Sequence, residues 1–329
     1  MKEAFHADRN MLIAAGVTPK TVDQFIHLRE QILPDQLLEK VKRAGLTAIT
    51  KQDATYPKLL REIYDPPPVL FIKGKLPANE TAHLAIVGSR KATPYGLRIA
   101  SQFSQELAES GIVIVSGLAY GVDEAAHTAT VKAGGITVAV LACGILSLNS
   151  RQRYLADKIV DTGGAVISEF PINANALRHN FPIRNRIISG MSHGTLIVEA
   201  AIKSGSLITA RSAMEQGRDV FAIPGPIHSP SSAGTNELLK TGAHLVTDTK
   251  DILEVLAVDY KKVEKASKTI IPDSKEEGLI LDLLSKNPIH IDEMVRSTQL
   301  AAATIAATLS LMEIKGRTKQ IGGMYYVLT

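Results

Sequence analysis

The sequence is poor in cysteine and in aromatic residues, and it has no tryptophan. Among 329 residues there is one cysteine, and aromatic residues make up 5% of the chain. Cys143 follows the apolar run 137–142, and a single thiol can form neither an internal disulfide nor a multi-cysteine metal cage. The sequence therefore excludes a disulfide-stabilised scaffold and a cysteine-based zinc site. We expect a protein of the reducing cytoplasm.

The sequence also has no long apolar runs, and its first residues do not show the pattern of a leader segment. Residues 1–30 show no basic start followed by an apolar core, and no window reaches the roughly 18 apolar residues of a membrane span. We expect a soluble protein without a membrane partner. With 45% hydrophobic and 21% charged residues, the composition is that of a packed globular protein, and the length predicts two or three domains.

The motifs of common catalytic and cofactor-binding sites are absent as well. No Gly-x-Gly-x-x-Gly fingerprint opens a strand-helix unit, no Walker lysine follows a glycine loop, and no Ser/His/Asp or paired-carboxylate arrangement stands out. We therefore expect no catalytic residues, no cofactor and no metal. The net charge of +4 permits a polyanionic partner without requiring one.

The order of hydrophobic patterns predicts an α/β protein with smaller domains at both ends. Thr18-Pro19 reads as a helix start and Gly45 as a helix stop, which predicts a small N-terminal helical unit. From Val69 onward, apolar runs alternate with helical stretches, as in a doubly wound, mostly parallel sheet buried on both faces. The candidate strands cover residues 84–87, 113–116, 137–141, 165–168, 195–198, 219–223 and 244–246.

The C-terminal region reads as a separate winged helix after a charged linker. It has three predicted helices at 276–285, 291–297 and 302–314, then two predicted strands at 317–321 and 324–328 joined by Gly322-Gly323. The expected domains are an N-terminal helical domain of SAM-like or helix-hairpin-helix-like type with its connector (1–65), the sheet domain (66–258), the linker (259–274) and the winged helix (275–329).

Ligands of open α/β sheets bind beyond the carboxyl ends of the strands, so the loops after strands are the candidate site. The first such loop is Gly88-Ser89-Arg90, which suits a phosphate but could equally be a tight turn with a solvated arginine. The second begins at Gly117 and leads to Asp123 and His127. We interpret these two residues as a helix-capping acid and a buried histidine rather than as metal ligands.

The third loop holds the most informative stretch of the chain. Phe181 and Pro182 precede Arg184, Asn185 and Arg186 at the start of an apparent helix, where planar donors suit a phosphate chain. The alternative is a helix whose arginines pair with surface carboxylates. Phe181 is expected either to stack on a base or to staple the helix entry.

The fourth loop supplies Lys203, Gly205, Ser206 and Thr209, whose amides and hydroxyls could hold an anionic oxygen or serve as ordinary helix caps. Glu199 precedes this loop, and as one unpaired carboxylate it is expected to be structural. Convergence of the four loops at one sheet edge predicts a groove for a polyanion. Basic residues of the central region that fall in predicted loops are Arg90, Lys91, Arg151, Arg153, Arg178, Arg184 and Arg186.

These motifs resemble those of the bacterial DNA-processing protein family DprA, also called Smf. The matching segments include Val87-Gly88-Ser89-Arg90, Ser116-Gly117-Leu118-Ala119, Phe181-Pro182-x-Arg184-Asn185-Arg186 and Ser204-Gly205-Ser206. The resemblance implies an extended Rossmann-like core that binds and protects single-stranded DNA and helps to load the recombinase RecA on it during natural transformation. It also implies a homodimer formed through the core and no enzymatic activity.

Carried over by position, the DNA contacts are Arg90, then Arg184, Asn185 and Arg186, and the amides of 206–209. The loop 146–151 departs from the family pattern, which puts contacts by Arg151 and Arg153 in doubt. The would-be recognition helix at 301–309 has no base-reading arginine, which favours protein contact or packing over DNA there. The alternative function is a Rossmann-type nucleoside monophosphate phosphoribohydrolase, disfavoured because its Pro-Gly-Gly-x-Gly-Thr motif is missing before Glu199.

Overall fold

The computed structural model describes residues 5–30, 32–256, 273–284, 289–315, 317–320 and 322–328. The chain divides into two compact units, residues 1–267 and 268–329. Most of the expected linker 259–274 lies outside the described residues. Among the helices that are described, none combines the length and the apolar character that a membrane crossing needs.

The larger unit is built on a nine-stranded sheet. Its strands are β1 (Thr47–Thr50), β2 (Val69–Gly74), β3 (His83–Val87), β4 (Val113–Ser116), β5 (Thr137–Val140), β6 (Ala165–Ser168), β7 (Gly194–Ile197), β8 (Asp219–Ala222) and β9 (His244–Leu245). They are ordered β1-β2-β6-β5-β4-β3-β7-β8-β9 across the sheet. Strands β3 to β9 are parallel, whereas β2 pairs antiparallel with both β6 and β1. This is the doubly wound, mostly parallel sheet that the strand pattern predicts.

The helices of this unit precede the sheet, connect its strands or, for the last one, follow the final strand. They are α1 (Arg9–Ala14), α2 (Pro19–Glu30), α3 (Pro34–Arg43), α4 (Lys58–Arg61), α5 (Pro94–Glu109), α6 (Val122–Lys132), α7 (Ser150–Asp161), α8 (Asn180–Gly190), α9 (Ser206–Glu215), α10 (Ala233–Lys240) and α11 (Thr249–Val255). A short 3₁₀ helix, Ile145–Ser147, precedes α7.

The parallel strands are covered on both faces, which explains why they read as continuous apolar runs. Along β3, Ala85 and Val87 pack into one apolar cluster, while Leu84 and Ile86 pack into another on the opposite face. Successive side chains of a strand point to opposite faces, so burial of all four residues requires a layer of helices on each side.

The sheet begins earlier in the chain than expected. Strand β1 lies within the segment 1–65 that the sequence assigns to the N-terminal helical domain and its connector, and it pairs with β2 at one edge of the sheet. Helix α4 follows, and its Leu60 is fully buried in the same cluster as Val87. Residues 47–65 therefore pack as part of the sheet unit rather than as a free connector.

The strand order reverses at the centre of the sheet. From β3, strands β4 to β6 extend to one side and β7 to β9 to the other. Residues Val87 and Ile197 are register partners at the carboxyl ends of β3 and β7. The chain leaves these two neighbouring ends in different directions, which opens a crevice at the position where α/β sheets bind ligands.

The smaller unit is a winged helix, as predicted. It contains α12 (Lys275–Leu283), α13 (Ile291–Thr298) and α14 (Ala302–Ile314), with strands β10 (Ile289–His290), β11 (Thr318–Gln320) and β12 (Tyr325–Leu328) in the order β10-β12-β11. Its core is a separate apolar cluster that includes Ile280, Met294, Ile305, Leu309 and Met312. Strand β10 is only two residues long and carries no pattern from which it could be predicted.

Candidate nucleic-acid interface

A groove of about 600 Å³ opens at the crevice beyond β3 and β7. Ten of the twelve residues that the sequence assigns to the site line this groove, whereas Gly117 and Arg186 do not. The ten are Gly88, Ser89, Arg90, Phe181, Arg184, Asn185, Lys203, Gly205, Ser206 and Thr209. The second candidate loop contributes Ala119 and Asp123 to the lining, so all four candidate loops meet at one edge of the sheet.

Four exposed cations line the groove: Arg90, Lys91, Arg178 and Lys203. In the described part of the chain none of them forms an ion pair with a carboxylate. Lys91 and Arg178 were not among the expected site residues. The signal that could have identified them is their position as basic residues in loops that reach the same sheet edge.

The Phe181 ring lies in the groove among these cations. The Cζ atom of Arg90 is 4.4 Å from the ring centroid, and that of Arg184 is 5.9 Å away. Such contacts are cation–π interactions, which hold a guanidinium near an aromatic face. The ring is partly exposed, and an aromatic face beside a positively charged path is the arrangement on which unpaired bases stack.

Arg184 lies in the floor of the groove and is almost fully buried. Its Nη1 donates to the carbonyl oxygens of Gly117, at 2.6 Å, and of Val140. Burial lowers the pKa of Arg184 to about 10, and the nearby Asp123 carboxylate opposes this shift. A Cβ atom at Gly117 would collide with the guanidinium, so glycine is required there for the close approach. Arg184 thus braces the second loop from below.

Asp123 and His127 are also held beneath the surface. The Asp123 carboxylate accepts from the Gly117 backbone N–H at 3.0 Å, and its burial raises the pKa of this acid. Nδ1 of His127 lies 2.7 Å from the Thr137 hydroxyl, and burial lowers the pKa of the imidazole to about 3. The buried, hydrogen-bonded His127 agrees with the prediction. Asp123 does not cap the helix as expected, because the N-cap of α6 is Gly121 without a side-chain hydrogen bond; its carboxylate caps the preceding loop at Gly117 instead.

Arg186 points away from the groove. Its guanidinium forms a bidentate pair with Glu169, with N···O distances of 3.0 and 2.7 Å, and a further contact with Asp65 at 3.1 Å. This is the arrangement of the alternative interpretation, in which an arginine of the motif pairs with carboxylates. A DNA contact by Arg186 stays a prediction, and these contacts favour a structural role.

The fourth loop offers fewer open amides than the sequence suggests. The N–H groups of Leu207 and Ile208 donate to the carbonyls of Ser204 and Gly205, both at 3.2 Å. The Ser204 and Ser206 hydroxyls are 2.8 Å apart. The loop therefore contributes hydroxyl groups and the Lys203 ammonium rather than a row of unpaired donors.

The loop that departs from the family pattern lies outside the groove. Arg151 pairs with Glu124 at 2.6 Å and lies over the Tyr120 ring at 5.6 Å from its centroid. Arg153 donates to the carbonyl of Leu148 at 3.2 Å. Neither arginine lines the groove.

Comparison with known proteins agrees with this arrangement. Residues 47–257 match the family model of DNA recombination-mediator protein A, and residues 264–324 match that of the DprA winged helix domain. Protein Smf of Escherichia coli is 42% identical over 327 residues, which cover 97% of this chain and 87% of that protein.

Two solved structures share the fold. DNA processing protein A of Streptococcus pneumoniae has a TM-score of 0.63 and 39% identity, covering 72% of this chain and 82% of that one. DNA processing protein A of Helicobacter pylori is described for its single-stranded DNA binding mode. It has a TM-score of 0.58 and 28% identity, covering 65% of this chain and 97% of that one. The two matching family models, the relative and the structures together show that the chain belongs to the DprA/Smf family of DNA-processing proteins.

Proposed function

We propose that this protein is a non-catalytic single-stranded DNA-binding protein. The phosphates of the strand lie along the exposed cations Arg90, Lys91, Arg178 and Lys203, while a base stacks on Phe181. Contacts to phosphate fix the position of the strand, and stacking on an aromatic ring accepts any base, so little sequence preference is expected.

The observation that carries the proposal is a set of four exposed cations, without an ion pair among the described residues, that line one groove with an aromatic ring at the switch point of the sheet. Free cations attract the phosphates of single and double strands alike, whereas the partly exposed ring adds affinity only for a ligand that has a base available to stack. In a duplex the bases are paired and stacked on each other, which favours an unpaired strand as the ligand. The single-stranded DNA binding mode described for the Helicobacter pylori relative supports the same choice.

Membership of the DprA/Smf family supports the wider role. We place the protein in the cytoplasm, where it protects incoming single strands and helps to load RecA during natural transformation. A homodimer through the Rossmann-like core is part of this proposal.

Binding titrations with three ligands test the proposed function. A single-stranded oligonucleotide, the corresponding duplex and AMP should each be titrated at several salt concentrations. We expect the single strand to bind most tightly, with log K falling by about 0.7 per log unit of salt for each neutralised phosphate. Equal affinity for duplex, or affinity that does not depend on salt, would contradict the proposal.

The alternative hydrolase is tested with the same protein preparation. Glu199 is 3% exposed and both of its carboxylate oxygens accept hydrogen bonds from Thr93, which supports a structural role. Release of free adenine from AMP by the wild-type protein, abolished in Glu199→Gln, would overturn the non-catalytic assignment.

A further inference from the structure

Glu199 is a buried carboxylate for which the described part of the chain supplies no cationic partner. It follows β7 and is 3% exposed. Within the described ranges its carboxylate is hydrogen-bonded to Thr93 and, at 3.5 Å, to the Ser231 hydroxyl, and it forms no ion pair. A buried charge destabilises a protein unless other contacts compensate for it. The contacts with Thr93 must therefore supply most of that compensation.

The carboxylate is held at the N-terminus of α5. Its Oε2 accepts from the Thr93 N–H at 2.8 Å, and its Oε1 accepts from the Thr93 hydroxyl at 2.6 Å. Thr93 is the N-cap of α5, and its hydroxyl oxygen also accepts from the Gly96 N–H. A negative group at this end of a helix is stabilised by the helix dipole. A Cβ atom at Gly96 would collide with the carboxylate, so the first turn of α5 packs directly against it.

The backbone of Glu199 holds the other end of the same loop. Its carbonyl oxygen accepts from the Ser89 N–H at 2.8 Å. One residue therefore anchors both ends of segment 89–93, through its carbonyl at Ser89 and its carboxylate at Thr93. Between these two anchors lie Arg90 and Lys91, two of the four exposed cations of the groove.

We propose that Glu199 is a positioning residue for DNA binding, which fixes segment 89–93 so that Arg90 and Lys91 face the groove. The inference rests on the proposed function, because it concerns how that function is achieved. Glu199 touches no DNA in this scheme and acts through the two cations. Its own negative charge would weaken attraction to phosphate, so a loss of affinity on its removal can come only from misplaced cations or from a disturbed fold.

Double-mutant measurements separate these two causes. Glu199→Ala and Glu199→Gln should be compared in the wild-type background and in an Arg90→Ala/Lys91→Ala background, with single-stranded oligonucleotide affinity as the readout. We expect Glu199→Ala to weaken binding about tenfold in the wild-type background, the scale of a lost charge-assisted contact. In the background without the two cations, the same change should alter affinity by less than about twofold, because independent sites add and coupled ones do not.

Three variants control for folding and for charge. Glu199→Gln keeps an acceptor for the Thr93 N–H and should retain most of the affinity. Thr93→Val keeps the side-chain shape but removes one of the two carboxylate bonds and the hydroxyl that caps α5 at Gly96, so its free energy of unfolding is measured beside its DNA affinity. It should weaken binding less than Glu199→Ala. Glu106→Ala changes the same charge near the other end of α5, where Glu106 accepts from the Thr249 hydroxyl at 2.9 Å, and should leave DNA affinity unchanged.

Equal losses of DNA affinity from Glu199→Ala in both backgrounds would assign Glu199 a general folding role and overturn the inference. An unchanged affinity of Glu199→Ala in the wild-type background would also overturn it. Failure of the proposed function looks different. If the wild-type protein does not bind the oligonucleotide, or if Arg90→Ala and Lys91→Ala have no effect, both proposals are wrong. Wild-type binding that needs Arg90 but ignores Glu199 and Thr93 refutes only this inference.

Discussion

At the scale of single residues, burial decides which arginines of the Phe-Pro-x-Arg-Asn-Arg motif keep a free charge. Arg184 and Arg186 are two positions apart on α8, which is a rotation of about 200° around the helix axis. Their side chains therefore leave the helix on nearly opposite sides. One enters the floor of the groove and the other reaches Glu169 and Asp65. The sequence places them side by side, but helix geometry separates them, and the exposed charges come instead from Arg90, Lys91, Arg178 and Lys203.

The exposed and the paired arginine should respond differently to salt. Arg90→Ala should weaken single-stranded DNA binding and reduce the slope of log K against log salt by about 0.7, because one phosphate contact is lost. Arg186→Ala should leave the slope unchanged, since carboxylates already neutralise this guanidinium. Fluorescence anisotropy at several salt concentrations measures both slopes. An equal reduction in the two variants would show that Arg186 also contacts phosphate.

Replacement of Arg184 should reduce stability as well as binding. Arg184→Ala leaves the carbonyls of Gly117 and Val140 and the Asp123 carboxylate without their buried donor or counter-charge. We expect the free energy of unfolding to fall by about 2–4 kcal/mol, the range for buried charged hydrogen bonds and partners left unpaired. Urea denaturation measures the change, and Arg90→Ala, with an exposed side chain, is the matched control. A stable Arg184→Ala protein would contradict the bracing role.

His83 should make the protein less stable in mild acid. It is buried, and burial lowers its pKa from 6.5 to about 4. Between these two values the unfolded chain holds a proton at His83 that the folded chain lacks, so the free energy of unfolding falls as pH falls, by up to about 1.4 kcal/mol per pH unit. In His83→Gln the pH dependence between 6.5 and 4 should be weaker by about one proton. Identical pH dependence in the two proteins would exclude this titration.

At the scale of secondary structure, the parallel strands could be predicted because burial on both faces leaves a continuous apolar run. The predicted bounds of β3 to β9 differ from the observed ones by one residue at most. The two antiparallel strands β1 and β2 could not be recognised in the same way. β1 is four residues with Thr at both ends, and in β2 only Leu70 and Ile72 are buried, so neither resembles a central strand.

Some features of the candidate site could likewise be predicted from the sequence, and others could not. Glycine, hydroxyl and arginine residues after strands identify the loops that meet, since parallel strands end at one edge of the sheet. Which donors remain free depends on contacts between loops that are distant in the chain. The Glu169 partner of Arg186 and the Thr93 partner of Glu199, 106 residues apart, are examples that local sequence does not reveal.

A deletion experiment tests whether β1 and α4 belong to the sheet unit. A fragment of residues 45–256 should fold cooperatively, whereas one of residues 66–256 should be much less stable or insoluble. The shorter fragment loses Leu60 and Ile63, each contributing roughly 1.5–3 kcal/mol by burial, and it exposes β2 as an unpaired edge. Thermal unfolding and solubility measure the difference. Equal stability of the two fragments would make 47–65 a true connector.

At the scale of the whole molecule, the described residues that line the groove all fall between 87 and 209, within the larger unit. The described part of the winged helix holds both unpaired and paired cations: Lys275, Arg296 and Lys319 are exposed and form no ion pair there, whereas two others are paired. Its Lys315 pairs with Asp273 at 2.7 Å, and Arg317 pairs with both Asp273 and Glu277. The exposed residues of α14 include Ala303, Ala306 and Ala307 rather than cations.

Removal of the winged helix should therefore preserve single-stranded DNA binding. A protein ending at residue 256 should bind a single-stranded oligonucleotide within about twofold of the full chain, with the same salt slope, because all four groove cations remain. Anisotropy titrations of the two proteins provide the comparison. A tenfold loss would indicate that the C-terminal unit contributes contacts of its own.

The contact between Arg90 and Phe181 means that a guanidinium already lies over the ring before DNA binds. A nucleobase that takes this place must displace the guanidinium, which forfeits about 0.5–1 kcal/mol for an exposed cation–π contact against about 1–3 kcal/mol gained per stacked base. The exchange remains favourable, and it releases the cation just as a phosphate arrives with that base. A nucleotide therefore places its base on the ring and its phosphate at the released guanidinium together. A strand without bases gains no stacking energy and leaves the guanidinium on the ring.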